Sequence, residues 1–483
     1  MQDTMSIWSQ TAALSPENHL RGNRTAEAVV IGGGLAGVLT AWQLRKRCVE
    51  VILLEAETIG SGQTRNTTAK ITSQHSIIYQ NLIHQVGQEK AMQYARANQQ
   101  AIEDYAQIIR EENIDCDFQR LPAYLYSTRS ADLLRREAEA AEQLGIDALF
   151  TTDTTLPFPV QGAVKFAHQA QFHPLKFLRA MAKPLEVYEH TPVTQVEGDL
   201  IRTPYGTVTA KTIVFATHYP FINIPGYYFL RMHQERSYVI ALENAAKMDG
   251  MYLSADEGIL SFRNYGNLLL FGGGSHRTGE NSQGGKYDML RQKANEFWPG
   301  CRETAHWSAQ DCITLDQVPY IGRYSSSKDN WYVATGFAKW GMTTSMAASR
   351  ILADMICGEQ NPNAEVFSPQ RFHLDASAKS LAADSLQAMK GFTREIFAPP
   401  FTHAADLPLG HGGIVDYGGK KVGLFKDNLG EVYAVDTRCP HLGCQLEWNP
   451  DEKSWDCPCH GSRFDYRGNL IDNPAQTDLG RKA

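Results

Sequence analysis

The 483-residue chain has no window approaching 18 uninterrupted apolar residues, so nothing in it reads as a membrane-spanning helix. It has no basic tract either. Its 46 Lys and Arg stand against 53 Asp and Glu, and a net charge of -7 is an ordinary solubility charge rather than the footprint of a nucleic-acid binder. The first 20 residues lack the basic flank and apolar core of a secretory signal, and the expectation is a soluble, cytoplasmic protein. Cysteine is thin over most of the length: Cys48, Cys116, Cys301, Cys312 and Cys357 are scattered singly and read as isolated thiols. Against that background, Cys439, Cys444, Cys457 and Cys459 crowd into 21 positions and demand their own explanation. A chain this long exceeds one core and should divide into several domains.

The N-terminal third carries the first positive signal. Ala28-Val29-Val30-Ile31 leads into Gly32, Gly34 and Gly37 in G-x-G-x-x-G spacing, and Val51-Ile52-Leu53-Leu54-Glu55 follows. This reads as strand, tight turn, helix, strand. The first glycine permits the turn, the second admits a pyrophosphate against the backbone, and the third lets the helix pack on the sheet. Anions are favoured at the start of such a helix by its free amides and dipole. Glu55, 21 residues past Gly34, is placed to accept ribose hydroxyls. The loop Ile59 to Lys70 is dense in Gly, Ser and Thr, and its Thr64, Thr68 and Ala69 are candidate cofactor contacts. A second strand, turn and helix runs from Asn330 to Cys357, with Gly336, Gly341, Met342 and Thr343 at the turn. One dinucleotide long enough to touch both ends of this region is implied.

Between the two turns, helical periodicity over 76–86, 88–113 and 130–144 gives way to successive strands near 237–242, 259–263 and 267–271, which suggests an antiparallel lobe inserted into the nucleotide domain. The two turns, with Trp307, Thr314, Asp316, Pro319, Ile321 and Gly322, resemble the D-amino-acid oxidase superfamily of flavoproteins over roughly residues 27–358. The resemblance implies FAD, a substrate lobe above the flavin ring, and oxidation of a carbon-nitrogen bond in an amine or amino acid by hydride transfer. Some relatives attach FAD to a cysteine; Cys312 does not align with that position, so non-covalent FAD is expected. The implied fold is α/β: a Rossmann-like FAD domain (about 26–75, 160–220 and 305–358) interleaved with an antiparallel-sheet substrate domain (about 76–160 and 221–304). A helical linker, 359–401, and a small all-β domain, 402–483, complete it. The linker reading rests on Pro362, Pro369, an amphipathic segment Ala376 to Ile396, and Pro399-Pro400.

The cysteine cluster has its own logic. Cys439-Pro440-His441 and, after a gap of 15, Cys457-Pro458-Cys459-His460 offer two thiolates for one iron and two imidazoles for another, which is the Rieske [2Fe-2S] pattern; a zinc site is the competing reading. Cys444 and Cys459 resemble the pair that forms a disulfide across the cluster in quinol-oxidising Rieske proteins. Imidazole ligation places such clusters at about -150 to +300 mV, able to accept electrons from reduced flavin. Ser462 matches a hydroxyl donor of high-potential relatives, whereas Phe464 stands where many carry a tyrosine, so a potential below the top of the range is expected.

Missing residues weigh against two alternatives. A Rieske oxygenase needs two more histidines and a carboxylate for a mononuclear iron, yet no histidine occurs among the 23 residues after His460. A pyridine-nucleotide site needs another G-x-G-x-x-G, and Gly272-Gly273-Gly274-Ser275-His276-Arg277 lacks its last glycine. A reductase or electron-transfer flavoprotein that oxidises no amine stays open as the second reading. For the substrate, Arg263 at a strand end is the candidate carboxylate clamp, as in glycine-oxidase-like relatives, with Tyr238 and His276 on neighbouring strands. An external electron acceptor, a protein or a quinone-like molecule, is the expected partner.

Overall fold

The computed structural model describes residues 5–11, 18–258, 260–371, 407–417 and 420–481. The amphipathic segment Ala376 to Ile396 lies outside them.

Two large sheets carry the first 371 residues. The strand Arg24–Ile31 is buried along most of its length, as its near-continuous apolar run requires. It pairs in parallel with Gly206–Phe215 on one side and Val51–Leu54 on the other. Lys328–Thr335 and Glu186–Tyr188 extend that parallel core outward, and Tyr320–Ser325 closes one edge antiparallel. The helices Leu35–Lys46 and Gly341–Ile356 follow the two glycine turns and pack against each other on this eight-stranded sheet. The two helices expected over 76–86 and 88–113 run together as Tyr79–Glu111, with a kink at Gly87, whose φ is 80°.

The second sheet has nine strands. Arg302–Thr314 forms its edge, followed by Met232–Glu243, Leu268–Arg277 and Ser261–Tyr265 in antiparallel order. Met251–Ser254 then pairs in parallel with Gln119–Ser127, which pairs with Gly162–Gln171. The sequence pattern assigns Gly162–Gln171 and most of Arg302–Thr314 to the FAD domain. Their hydrogen-bonding partners put both in the second sheet instead, because register is decided by neighbours far away in the chain.

The start of the expected linker is also reassigned. Val366 and Phe367 are buried, Phe367 packs 5.6 Å from the Tyr94 ring, and the Arg371 guanidinium donates to Asp316 at 2.7 and 2.8 Å. Residues 359–371 are therefore part of the larger unit's surface.

The C-terminal region consists of a three-stranded sheet, His411–Tyr417, Lys420–Lys426 and Val432–Asp436, and a four-stranded sheet of short strands from Glu447–Asn449 to Leu470–Asp472. Its core is aromatic and sulfur-rich, with Trp455, Phe464, Cys444 and Leu446 fully buried. No helix among the described residues is long and apolar enough to cross a membrane.

Candidate active site and iron-sulfur centre

At the first turn, Gly32 has φ 111°, and a Cβ there would lie 2.4 Å from the Ala216 carbonyl oxygen. A Cβ on Gly37 would lie 1.9 Å from the Gly32 oxygen. Both positions thus require glycine for the helix to close onto the turn. Gly34 is the N-cap and supplies no side chain. Thr64 answers this lack: its hydroxyl accepts the Leu35 N–H at 3.1 Å. Glu55 sits at the end of its strand and accepts the Gly33 N–H at 2.5 Å and the Glu57 N–H at 2.9 Å. Desolvation raises its pKa against those two donors.

The second turn closes over the first loop. Gly336 has φ 71° and would clash with Thr314 if it bore a Cβ. Gly341 begins the helix, the Met342 carbonyl accepts the Tyr105 hydroxyl at 2.8 Å, and the Thr343 hydroxyl donates to the Thr72 carbonyl at 3.0 Å. His75 lies beneath, 3.1 Å from Thr343 and stacked on Trp340 at 4.7 Å. Burial pushes its imidazole down to about 3, so it is a neutral hydrogen-bonding wedge. Ala69 adopts φ 54° in the buried connection between Thr68 and Lys70.

These elements and the second sheet enclose a cavity of about 120 Å³. Asn66, Thr67, Thr68, Lys70, Thr72 and Met342 line one side, and Ser237, Val239, Ser261, Ala309 and Asp311 line the other. Two ammonium groups reach it. Lys339 is held between Glu235 at 3.1 Å and Asp311 at 3.6 Å, carboxylates from directly paired residues of adjacent strands. Among the described residues no carboxylate pairs with Lys70. Its Nζ donates to the Tyr252 carbonyl at 2.9 Å and the Ser261 hydroxyl at 2.5 Å. Burial, with the like charge of Arg263 added, lowers its pKa to about 7.

The three substrate candidates read from sequence are placed differently. Arg263 is buried and does not line the cavity. Its donors go to Gln171 at 2.8 Å, to the Phe172 carbonyl at 2.8 Å and to the Thr68 carbonyl, so it ties the cofactor loop to the sheet. This corrects its expected role: the fork is already filled by oxygens of the protein. His276 is likewise turned away, accepting from the Tyr238 hydroxyl at 3.0 Å while its Nδ1 donates to the Arg277 carbonyl at 2.7 Å. Tyr238 borders the cavity, but its hydroxyl also meets Asn281 at 3.2 Å and Asn449 at 3.4 Å, on the side of the C-terminal domain. Cys312 is buried in the core behind the strand, with Tyr320 and Val333, and is not a cavity residue.

The C-terminal cysteines form two loops with the same turn. Gly443 N–H donates to the Cys439 carbonyl and Gly461 N–H to the Cys457 carbonyl, each at 2.9 Å, and both glycines are left-handed, at φ 81° and 83°. Cys444 and Cys459 are joined in a disulfide across the loops. The sulfurs of Cys444, Cys457 and Cys459 lie within 4.8 Å of one another, but two of them are spent in that bond. What remains is a thiol pair and an imidazole pair. The buried Cys439 and Cys457 thiols share a hydrogen bond, and amides of His441, Leu442, Cys459 and His460 point at the two sulfurs. That bond, the amides of His441 and Leu442 and the Ser462 hydroxyl draw the Cys439 thiol down from its ordinary value. The rings of His441 and His460 lie 4.9 Å apart at 89°. Burial holds His441 down to about 4, neutral as a metal ligand must be, and its Nδ1 is buried without a hydrogen-bond partner. Two thiols, two imidazoles and an orphaned ring nitrogen fit a [2Fe-2S] cluster with mixed ligation. Ser462 bonds to Cys439 and accepts the Ala475 N–H at 2.9 Å.

Residues 27–355 match the family described as DAO, FAD dependent oxidoreductase, and residues 399–481 match the Rieske [2Fe-2S] domain. The chain belongs to the DAO family. It binds FAD in the larger unit and a [2Fe-2S] cluster in its Rieske domain. It is 35% identical over 97% of its length to the Rieske 2Fe-2S iron-sulfur protein YhfW of Bacillus subtilis (strain 168), covering 96% of that protein. It is 24% identical over 74% of its length to gamma-glutamylputrescine oxidoreductase of Escherichia coli K12, covering 90% of it. Among solved structures, L-proline dehydrogenase from P. horikoshii superimposes with a TM-score of 0.62 at 19% identity, over 72% of this chain and 98% of that one.

How the Rieske domain sits on the DAO unit is not a feature that sequence reading anticipates. Gln234 Nε2 donates to the His460 carbonyl at 2.7 Å, and Gln310 Nε2 to the Gly461 carbonyl at 2.8 Å. Arg236 pairs with Glu452, which also receives Arg463 at 2.9 Å, the Ser308 hydroxyl at 2.5 Å and the Tyr287 hydroxyl at 3.0 Å. Burial works against the charge of Glu452, but the two guanidinium groups outweigh it and hold its carboxyl down to about 2. These contacts alternate along the strands Met232–Glu243 and Arg302–Thr314 with the cavity-lining residues. Ser237, Val239, Ala309 and Asp311 face the cavity; Gln234, Arg236, Ser308 and Gln310 face the Rieske domain. Because side chains on a strand point to opposite faces in turn, one pair of strands separates the two cofactor regions.

Proposed function

We propose that this protein oxidises the C–N bond of a small amine or amino acid that carries a carboxylate, and that the electrons leave through the Rieske cluster to an external one-electron acceptor. The observation that carries the electron route is the shared wall: the cavity and the cluster loops lie against opposite faces of the same two strands. When bound, FAD supplies a two-electron acceptor for the hydride on the carbon beside nitrogen, and the [2Fe-2S] cluster supplies a one-electron carrier. The chain's residues do the rest. Lys70 is the cavity's one lysine without a carboxylate neighbour among the described residues, and an anionic substrate group would satisfy it. Lys339, neutralised by Glu235 and Asp311, contributes polarity without net positive charge. Thr68, Met342 and the loop fixed by Arg263 shape the cofactor side.

The test is anaerobic bleaching of the flavin by a panel of amino acids, N-methyl amino acids and polyamine derivatives, each paired with an analogue lacking the carboxylate. Bleaching by carboxylates and not by their analogues is expected. Equal reaction of the analogues would remove Lys70 from the site, and no bleaching by any amine would favour the electron-transfer reading.

A further inference from the structure

Resting on the electron route proposed above, we infer that the external acceptor is a redox protein, and that it docks on an apolar surface formed by Ile224, Tyr227, Leu230 and Leu442 around the edge of His441. Three of the four cluster ligands are closed off: Cys439 is 2% exposed, Cys457 1% and His460 6%. His441 is half-buried, so an acceptor outside the molecule comes nearest the cluster there. Electron tunnelling falls off exponentially with distance, and that edge is the favoured exit.

The surroundings of His441 come from both domains. Asn223 Oδ1 lies 3.0 Å from its Nε2, and the Phe229 ring packs 6.4 Å from His441 and 5.8 Å from His460. The residues next to these contacts are apolar and face solvent: Ile224 is 67% exposed, Tyr227 47%, Leu230 54%, and Leu442, beside His441 itself, 39%. They account for four of the eleven exposed large apolar side chains among the described residues, three in the segment whose Asn223 and Phe229 touch His441 and the fourth next to His441 in the chain. The patch is continuous with the intramolecular interface, since Asn223 and Phe229 belong to that interface and sit within the same segment.

The segment is also held in shape. Tyr228 is buried and donates to the Tyr324 carbonyl at 2.8 Å. Arg231 lies over the rings of Tyr228 and Tyr320 and donates to the carbonyls of Pro369 at 2.7 Å and Gly226 at 2.9 Å. Exposed apolar side chains on a braced scaffold cost little ordering when a partner covers them. A protein fits this surface better than a quinone. The ring nitrogen that a quinone oxygen would seek already meets Asn223, and four projecting side chains call for a broad complementary face rather than one small ring.

The experiment uses the full-length holoenzyme, reduced anaerobically with dithionite, and reads the first electron lost from the cluster, before any electron can be resupplied from flavin. Reoxidation is followed by stopped flow with three acceptors: a c-type cytochrome, ferricyanide and a short-chain ubiquinone. Unmodified protein is compared with Ile224→Glu/Leu230→Glu, whose sites lie on the flavin unit and are not themselves cluster ligands, and separately with Leu442→Gln. The expected result is saturable reoxidation by the cytochrome that slows at least tenfold in the double variant, with ferricyanide changed less than twofold. An unchanged cytochrome rate, no reaction with the cytochrome, or a loss confined to the ubiquinone arm would each overturn the proposal. Failure of flavin to reduce the cluster in a parallel substrate or light experiment would instead count against the electron route.

Discussion

Arg236 and Lys70 are two cations of the second sheet region that lie on opposite sides of one strand pair, and the protein treats them differently. Arg236 is met by Glu452 in a buried network that also contains Arg463, Asp456 and Asp472. Among the described residues, Lys70 is met by a carbonyl and a hydroxyl alone. A charge buried with its counter-charges fixes the arrangement of two domains, whereas a cation left with neutral partners keeps an affinity for anions. On this comparison the Rieske face of the wall is built for permanence and the cavity face for a visitor.

The sharpest way to break the comparison is to empty one side. Cys457→Ser should abolish the cluster and leave FAD content unchanged, measured by iron and flavin analysis, since the two sites share strands and no ligands. Next in size, Glu452→Ala leaves Arg236 and Arg463 buried without their shared partner and should weaken docking by about 3–5 kcal/mol. Urea unfolding followed by cluster absorbance checks this; an unchanged midpoint would make the network decorative. The pH dependence has a definite sign. Because the folded pKa of Glu452 is depressed to about 2, its contribution is present above its ordinary value near 4.5 and is lost as pH falls toward 2.

A smaller effect tests the other face. Lys70→Met should raise KM for a carboxylate substrate about tenfold or more, with Lys70→Arg restoring part of it. With the pKa of Lys70 lowered to about 7, the empty cavity holds an ammonium below that pH and a neutral amine above it. Carboxylate affinity should therefore be flat below pH 7 and fall as pH rises through it, because binding then takes up a proton. Affinity that is flat from about pH 6 to 9 would exclude Lys70 as the anchor.

What is legible in sequence is what local spacing determines. Gly32, Gly34 and Gly37 announce a turn because the turn itself and the next strand leave no room at Gly32 and Gly37, and the two Cys/His loops announce a cluster because each carries two ligands within four residues. Arg263 misleads because an arginine expected at a strand end, and found mid-strand in Ser261–Tyr265, looks the same in sequence whether it faces a substrate or, as here, finds its partners in Thr68, Gln171 and Phe172, at least 91 positions away. Lys70 escapes notice for the converse reason. It ends a loop rich in neutral donors, and its lack of a carboxylate is a property of Tyr252 and Ser261 being its neighbours. The wall is not readable either: the alternation within Met232–Glu243 is visible, but which face meets the cavity and which meets residues 449–473 depends on the docking of a separate domain.

The central claim is that electrons cross that wall. Freeze-quench EPR during anaerobic reduction of the holoenzyme by substrate follows both centres at once. The cluster signal is expected to grow as flavin electrons are withdrawn, and Arg236→Met to slow this growth at least tenfold without altering the rate of flavin reduction. A cluster that stays oxidised while the flavin is fully reduced, or one reduced equally fast in the Arg236 variant, would contradict that claim.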